Sequence, residues 1–221
     1  MTSALSIAAL GFFLGMRHAA DADHVIAVAT IVSRHRSRRQ AALVGILWGL
    51  GHTLTIVLVG AGIILFNVVI PPRVGLGMEL AVGLVLIMLG LANIARFLRK
   101  RRVSSVTEDT AADRASDGPP MYGNFRPIVI GIVHGLAGSS AVALLVLAAI
   151  ADPRWATAYL LVFGTGTIAG MVLVTVSMAS AFQLNGARSA RWSGRVGLAS
   201  GFMSLGFGLF LAYQICVNGL A

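Results

Sequence analysis

Charged residues are scarce in this sequence. They make up 11% of its 221 residues, against about 25% in an ordinary soluble domain. Hydrophobic residues account for 57% of the chain, which is more apolar surface than the core of a soluble domain of this length needs. The composition therefore predicts an integral membrane protein.

Several motifs are also missing, and each absence removes a class of function. Cys216 is the single cysteine, so neither a disulfide framework nor a Cys-x-x-Cys metal or redox site can form. The sequence contains no G-x4-G-K-[ST] nucleotide-binding loop and no H-E-x-x-H motif. We therefore expect neither an ATPase centre nor a zinc-hydrolase centre, and no prosthetic cofactor.

The formal net charge of +9 does not indicate a nucleic-acid partner. Most Lys and Arg residues fall in three short clusters between long apolar runs, which is the pattern of membrane loops. Aromatic residues are not interleaved with these clusters, as platforms for base stacking would be. The expected partner is the lipid bilayer.

Six segments are long enough to cross a membrane, because a spanning helix needs about 20 mostly apolar residues. The first qualifies only if its charged middle faces protein rather than lipid. The predicted fold is therefore an all-α integral membrane protein of six transmembrane helices, near residues 3–33, 41–69, 75–97, 127–151, 155–184 and 195–217.

The basic clusters give the chain a predicted orientation. They lie at 34–39, 96–102 and 188–195, after the first, third and fifth spans, whereas the other two connections hold only Arg73 and Arg154. Positive loops stay in the cytoplasm. We therefore expect a prokaryotic cytoplasmic (inner) membrane protein with both termini outside.

A polar segment divides the chain into two three-helix halves. Residues 104–123 carry four acidic side chains and a Gly-Pro-Pro turn signal, which predicts a mobile cytoplasmic linker. The expected organisation is a first half at 1–98, the linker at 99–126 and a second half at 127–221.

The two halves resemble each other and would enter the membrane from opposite sides. Their matching positions lie 116, 115 and 118 residues apart in the three helix pairs, as in His18 and His134, Trp48 and Phe163, and Gly83 and Gly201. This pattern predicts an inverted repeat, which is typical of transporters with a site near the midplane. The alternative is that the glycines only allow close helix packing.

The first predicted span contains an unusual concentration of ionisable side chains. A central Asp or Arg costs about 2.5–3.5 kcal/mol in a membrane helix, so such groups indicate function. On a straight helix His18, Asp21 and His24 share a stripe about 120° wide, whereas Asp23 points about 100° away from His24. Either Asp23 serves elsewhere or the helix is distorted.

These side chains predict a site for a borderline divalent metal ion, to which His52 could add an imidazole from the second span. Imidazole with some carboxylate suits Ni²⁺, Co²⁺, Zn²⁺ or Cu²⁺, whereas Mg²⁺ prefers oxygen and Cu⁺ prefers sulfur. The alternative is a network that only pairs helices. Further residues are candidates for the pathway or for supporting contacts: His134, hydrogen-bonded to Ser139 or Ser140, Glu79 at an outer surface, and Arg17 as partner of a buried carboxylate.

The motifs resemble those of the nickel/cobalt transporter family. The H-x4-D-H pattern at 18–24 is similar to that family's signature, and L-G-H-T at 50–53 is similar to its second block. The segment at 131–139 resembles the six-span branch found among urease-associated nickel permeases. The resemblance implies that the metal is handled by His18, Asp21, Asp23, His24 and His52.

The function expected from these observations is secondary uptake of Ni²⁺, and of Co²⁺ as a second substrate, with no enzymatic activity. Two alternatives within transport stay open: a metal exporter, or a membrane subunit that serves a separate ATPase. A membrane metalloenzyme is disfavoured, because the chain has no second pair of closely spaced histidines. The sequence does not indicate an oligomeric state.

Overall fold

The computed structural model describes residues 2–33, 37–66, 71–104, 120–136, 150, 152–186 and 190–218. Within these ranges every regular element is an α-helix, which confirms the all-α prediction. There are seven: α1 (Thr2–His18), α2 (Ala22–Val32), α3 (Arg38–Phe66), α4 (Pro72–Ser104), α5 (Pro120–Leu136), α6 (Pro153–Gly186) and α7 (Ala190–Asn218).

Four helices, α3, α4, α6 and α7, are long and apolar enough to cross a membrane. They correspond to the second, third, fifth and sixth predicted spans. Large exposed side chains on α3 recur every three or four residues and so lie along one face: Leu43, Ile46, Leu50, Leu54 and Leu58. An apolar face of this length suits lipid rather than water, as expected of a multi-pass membrane protein.

The first predicted span, 3–33, is not one continuous helix. Helix α1 ends at His18 and α2 begins at Ala22. At the break, the amides of Ala20 and Asp21 donate to carbonyls only three residues back, at 2.9 and 3.0 Å. Asp21 then takes an extended backbone conformation, φ −61° and ψ 149°. Of the two alternatives for Asp23, the distorted helix therefore holds, and the break changes which side chains can meet.

The fourth predicted span, 127–151, also has different bounds from the helix found in the structure. Helix α5 begins earlier, at Pro120, and ends at Leu136, while residues 137–149 lie outside the described part of the chain. The ends of the predicted linker are helical, since α4 continues to Ser104 and α5 starts at Pro120. Its middle, 105–119, is also outside the described residues.

The helices pack mainly in pairs that join one half of the sequence to the other. Helix α1 packs on α6, α3 packs on both α5 and α6, and α4 packs on α7. The short helix α2 contacts α4, α6 and α7. Hydroxyl groups strengthen some of these contacts, as where Ser204 of α7 donates to the Leu86 carbonyl of α4 at 2.8 Å.

Glycines bring these helices into backbone contact. A Cβ added at Gly15 would overlap the Phe163 carbonyl oxygen, and one added at Gly131 would overlap the Trp48 carbonyl oxygen. Gly90 lies in the same way against Gly201. The first two contacts are equivalent under the sequence offset of 115–116 residues between the halves. Close approach of this kind fixes the helices that carry the candidate metal ligands.

Candidate metal site

The break between α1 and α2 brings His18 and Asp21 together. His18 Nδ1 donates a hydrogen bond to Asp21 Oδ2 at 2.8 Å, because an ionised carboxylate can only accept. This bond leaves His18 Nε2 with its lone pair, 2.9 Å from His52 Nε2 on α3. A carboxylate that orients an imidazole in this way is a common support for a metal ligand.

The same break turns Asp23 towards His24. Asp23 is in the first turn of α2, and its Oδ1 lies 3.3 Å from His24 Nδ1. The contact lacks hydrogen-bond geometry, since neither nitrogen of His24 has a hydrogen-bond partner. A straight helix would keep these two side chains apart, and the break between α1 and α2 brings them together.

Two overlapping groups of potential ligand atoms result. One ring nitrogen from each of His18, His24 and His52 lies within 4.8 Å of the others. One atom from each of Asp21, Asp23 and His24 also falls within 4.8 Å of the others. His24 belongs to both groups, so the carboxylates and the three imidazoles form a continuous set of donors. All five residues predicted as ligands are brought together.

The imidazoles are buried, whereas the carboxylates are closer to solvent-accessible surface. His24 and His52 have no exposed surface, but the side chains of Asp23 and Asp21 are 13% and 37% exposed. The ligand set therefore extends from a partly open carboxylate end to a closed imidazole end.

His134 on α5 lies beside this set. Its ring centre is 5.5 Å from that of His24 and 4.9 Å from that of Trp48. Its Nδ1 donates to the Ile130 carbonyl at 3.0 Å, which is a different partner from the predicted Ser139 or Ser140. Both serines lie outside the described residues.

Buried polar atoms without partners are concentrated at this place. Six such side-chain atoms occur in the described part of the chain: His24 Nδ1 and Nε2, Trp48 Nε1, His52 Nδ1, His134 Nε2 and Tyr159 Oη. Five of the six belong to rings that contact one another. Buried polar groups in folded proteins nearly always have hydrogen-bond partners. A cluster of unpaired ones is therefore unusual and is typical of a site that binds a ligand.

A model of the family described as NicO, high-affinity nickel-transport protein, matches residues 4–118. This chain belongs to that family. The match includes the whole of α2 to α4 and nearly all of α1, and therefore every predicted ligand; α5 and His134 fall beyond it. The resemblance based on the motifs is confirmed, and membership of a transporter family favours the expectation of a transport rather than an enzymatic role.

A bacterial relative covers almost the whole chain. The sequence is 34% identical to the urease accessory protein UreH of Bacillus sp. (strain TB-90), over 97% of this chain and 93% of the relative. Two Arabidopsis thaliana proteins, the chloroplast proteins FOR GROWTH AND FERTILITY 2 and 1, are 29% and 27% identical over 94% and 93% of this chain. The chain spans only 56% and 58% of their lengths. No solved structure matches the chain.

Two candidate residues of this NicO family member do not join the site. Arg17 is exposed, and the carboxylates of Asp21 and Asp23 lie against His18 and His24 instead. The structure therefore does not bring Arg17 to either of these carboxylates. Glu79, half-buried on α4, belongs to neither group of ligand atoms.

Sequence reasoning missed Trp48 as a component of the site. Its indole is fully buried and contacts both His24 and His134, at 6.3 and 4.9 Å between ring centres. The signal was available, because Trp48 and His52 are four residues apart and so share a face of α3. The indole of Trp48 therefore packs against the imidazole end, with its Nε1 buried and unpaired.

Proposed function

We propose that this chain is a secondary permease that takes up Ni²⁺, and also Co²⁺, through an intramembrane site. The proposed ligands are His18, Asp21, Asp23, His24 and His52. The observation that carries the proposal is the group of buried histidine nitrogens that lack hydrogen-bond partners, on His24 and His52. An unsatisfied buried group costs about 1–3 kcal/mol, and a bound cation would relieve that cost at several atoms together.

The chemistry of the donors supports a borderline divalent ion. Three imidazoles and two carboxylates meet the preference of Ni²⁺ and Co²⁺ for nitrogen with some oxygen. Two ionised carboxylates would also balance the charge of a divalent ion, which matters in a medium where an isolated charge is costly to bury. Because Asp21 and Asp23 are the more exposed members, they are the proposed first contacts of an arriving ion.

We further propose that the chain crosses the membrane six times as two inverted three-helix repeats. In this arrangement α1 and α2 together form the first crossing, and α5 forms the described part of the fourth. Support comes from the helix pairing: α1 packs on α6 and α5 packs on α3, which are equivalent contacts under an exchange of the halves. Discontinuous helices near the midplane are typical of transporters built in this way. The divisions at 1–98, 99–126 and 127–221 are proposed on the same basis.

The proposed location is the cytoplasmic membrane of a prokaryote, with both termini outside. The three basic clusters support this orientation. In a Cys216→Ser background, single cysteines at Ser37 and Ser104 should react with a membrane-impermeant maleimide only after the cells are permeabilised. Labelling of both sites on intact cells would show the opposite orientation, and labelling of one alone would contradict the number of crossings.

The proposed driving force is the membrane potential. A divalent cation that moves inward down 100 mV gains about 4.6 kcal/mol, twice the value for a single charge. No nucleotide-binding loop occurs in the sequence, so the chain itself offers no means of using ATP.

Uptake into proteoliposomes tests this function directly. With the purified protein and an inside-negative potassium diffusion potential, radioactive nickel should accumulate without ATP, and collapsing the potential should stop it. Equimolar Co²⁺ should compete strongly, whereas Mg²⁺ in hundredfold excess should not, because it prefers all-oxygen sites. Accumulation only with an added ATPase, or equal suppression by Mg²⁺ and Co²⁺, would contradict the proposal.

A further inference from the structure

His134 is held rigidly against the helix that carries His52. Two glycines on α5, Gly131 and Gly135, lie three residues before it and one residue after it. A Cβ at Gly131 would meet the Trp48 carbonyl, and a Cβ at Gly135 would lie 2.7 Å from the His52 carbonyl. The backbone of α5 therefore lies directly on that of α3 at the level of the proposed site, and His134 has little freedom to move away from it.

The hydrogen bond of His134 determines which of its nitrogens is available. Because Nδ1 donates to the Ile130 carbonyl, the neutral ring carries its proton there and leaves the Nε2 lone pair free. Nε2 is buried and has no hydrogen-bond partner. A histidine that served only to fill space would gain nothing from this unsatisfied atom, which costs about 1–3 kcal/mol. Metal-binding histidines have this arrangement, with one nitrogen fixed by a backbone carbonyl and the other open.

His134 does not belong to the group formed by His18, His24 and His52. The ligand nitrogens of those three lie within 4.8 Å of one another, and His134 is not a member of that group. Its ring nevertheless lies 5.5 Å from the ring of His24, whose two nitrogens are both without partners. The ring of His24 thus contacts the other two members of the group, His18 and His52, and also His134.

We propose that His134 is a metal ligand at a second position along the pathway, where His134 Nε2 and His24 receive the ion from the group of His18, His24 and His52. The inference rests on the proposed function and extends it to the second half of the chain. With His24 shared, the ion exchanges ligands one at a time and is never left without a donor in an apolar surrounding. The indole of Trp48, which contacts both rings, closes the side of this position.

The test distinguishes the role of the unpaired His134 Nε2 from the role of the hydrogen bond that His134 Nδ1 donates. His134→Asn places an amide near Nδ1 and can still donate to Ile130, but it has no atom at the position of Nε2. His134→Cys loses the imidazole yet keeps a side chain that binds borderline metals. Equilibrium binding of nickel to the purified protein and the initial rate of uptake into proteoliposomes are measured for both, together with the melting temperature and the amount of protein reconstituted.

We expect His134→Asn to bind nickel within about threefold of the wild type and to lower the maximal uptake rate at least about tenfold, with His134→Cys recovering part of that rate. An Asn variant that transports at the wild-type rate would show that only the hydrogen bond matters and would overturn the inference. So would a loss of equilibrium binding in a correctly folded Asn variant, because His134 would then belong to the first group. If the Asn variant does not fold, the uptake rate of folded His134→Cys is compared with that of folded His134→Phe. A higher rate in the Cys variant supports the inference, and an equal or lower rate overturns it.

The His18→Gln variant, measured in parallel, distinguishes this failure from failure of the proposed function. Loss of nickel binding in His18→Gln with normal uptake in His134→Asn removes only the second position. Normal binding and uptake in His18→Gln would remove the site from which His134 receives the ion, and with it both proposals.

Discussion

Nickel uptake is expected to fall at least about 100-fold when either His18 or His24 is changed to Gln, or Asp23 to Asn. Each change removes a proposed ligand while keeping the size and much of the hydrogen bonding of the side chain, so membrane abundance should stay near the wild-type level. Loss of a group that only hydrogen-bonds to a metal ligand typically lowers metal affinity or activity about 10–100-fold. Loss of a ligand itself should lower uptake at least as much. Uptake of radioactive nickel, normalised to the amount of protein in the membrane, measures the effect.

Matched controls make the same chemical changes away from the site. Asp152→Asn should transport normally, because exposed Asp152 only accepts a hydrogen bond from the Arg154 amide and Asn caps a helix as well as Asp. His35→Gln, in the predicted basic loop, should also be silent. Wild-type uptake by the His18 and His24 variants would refute the metal site. Disappearance of all three ligand variants from the membrane would support the alternative that these groups only hold helices together.

The second large effect is expected at Gly131. In Gly131→Ala the new methyl group would overlap the Trp48 carbonyl oxygen on α3, and a backbone carbonyl cannot turn aside as a flexible side chain can. Overpacking costs about 1–3 kcal/mol or more, so the folded fraction should fall several-fold and α5 should separate from α3. Size-exclusion profiles and melting temperatures of the purified variant report this directly.

Gly62→Ala is the matched control, because a Cβ at Gly62 on α3 meets nothing within 4 Å. It should fold like the wild type, since Ala also favours a helix more than Gly does. Gly15→Ala should behave like Gly131→Ala, because its Cβ would overlap the Phe163 carbonyl on α6. A well-folded Gly131→Ala with a wild-type melting temperature would show that the close approach of α5 and α3 is not required.

Much of the architecture was accessible from the sequence, because length and hydrophobicity alone identify a helix that crosses lipid. The ends of α3 and α6 were predicted to within three residues, whereas α4 continues seven residues further than predicted and α7 begins five residues earlier. The five proposed ligands were also found without coordinates, since ionisable groups are costly inside an apolar segment and usually serve a function there. Their proximity in the structure also requires the break between α1 and α2, which brings the two carboxylates to the histidines.

The break after His18 was harder to predict, because Ala19 and Ala20 are good helix formers and nothing in the local sequence forces the helix to end. The carboxylates gave the available signal: Asp21 is at the N-cap of α2 and Asp23 is in its first turn, where acidic residues are favoured. The direction of the Arg17 side chain depends on the same break, because α1 ends one residue later. The partner of His134 depends on helix geometry that spacing alone does not give.

The break also has a mechanical consequence. His18 is the last residue of a helix that packs on α6, whereas His24 lies on a helix that also contacts α4 and α7. An ion bound to both imidazoles would link the two helices across the break and would resist any change in the angle between α1 and α2. Conversely, bending at the break would pull the two ligands apart and release the ion. The affinity for such an ion and the angle between α1 and α2 would therefore be coupled to each other.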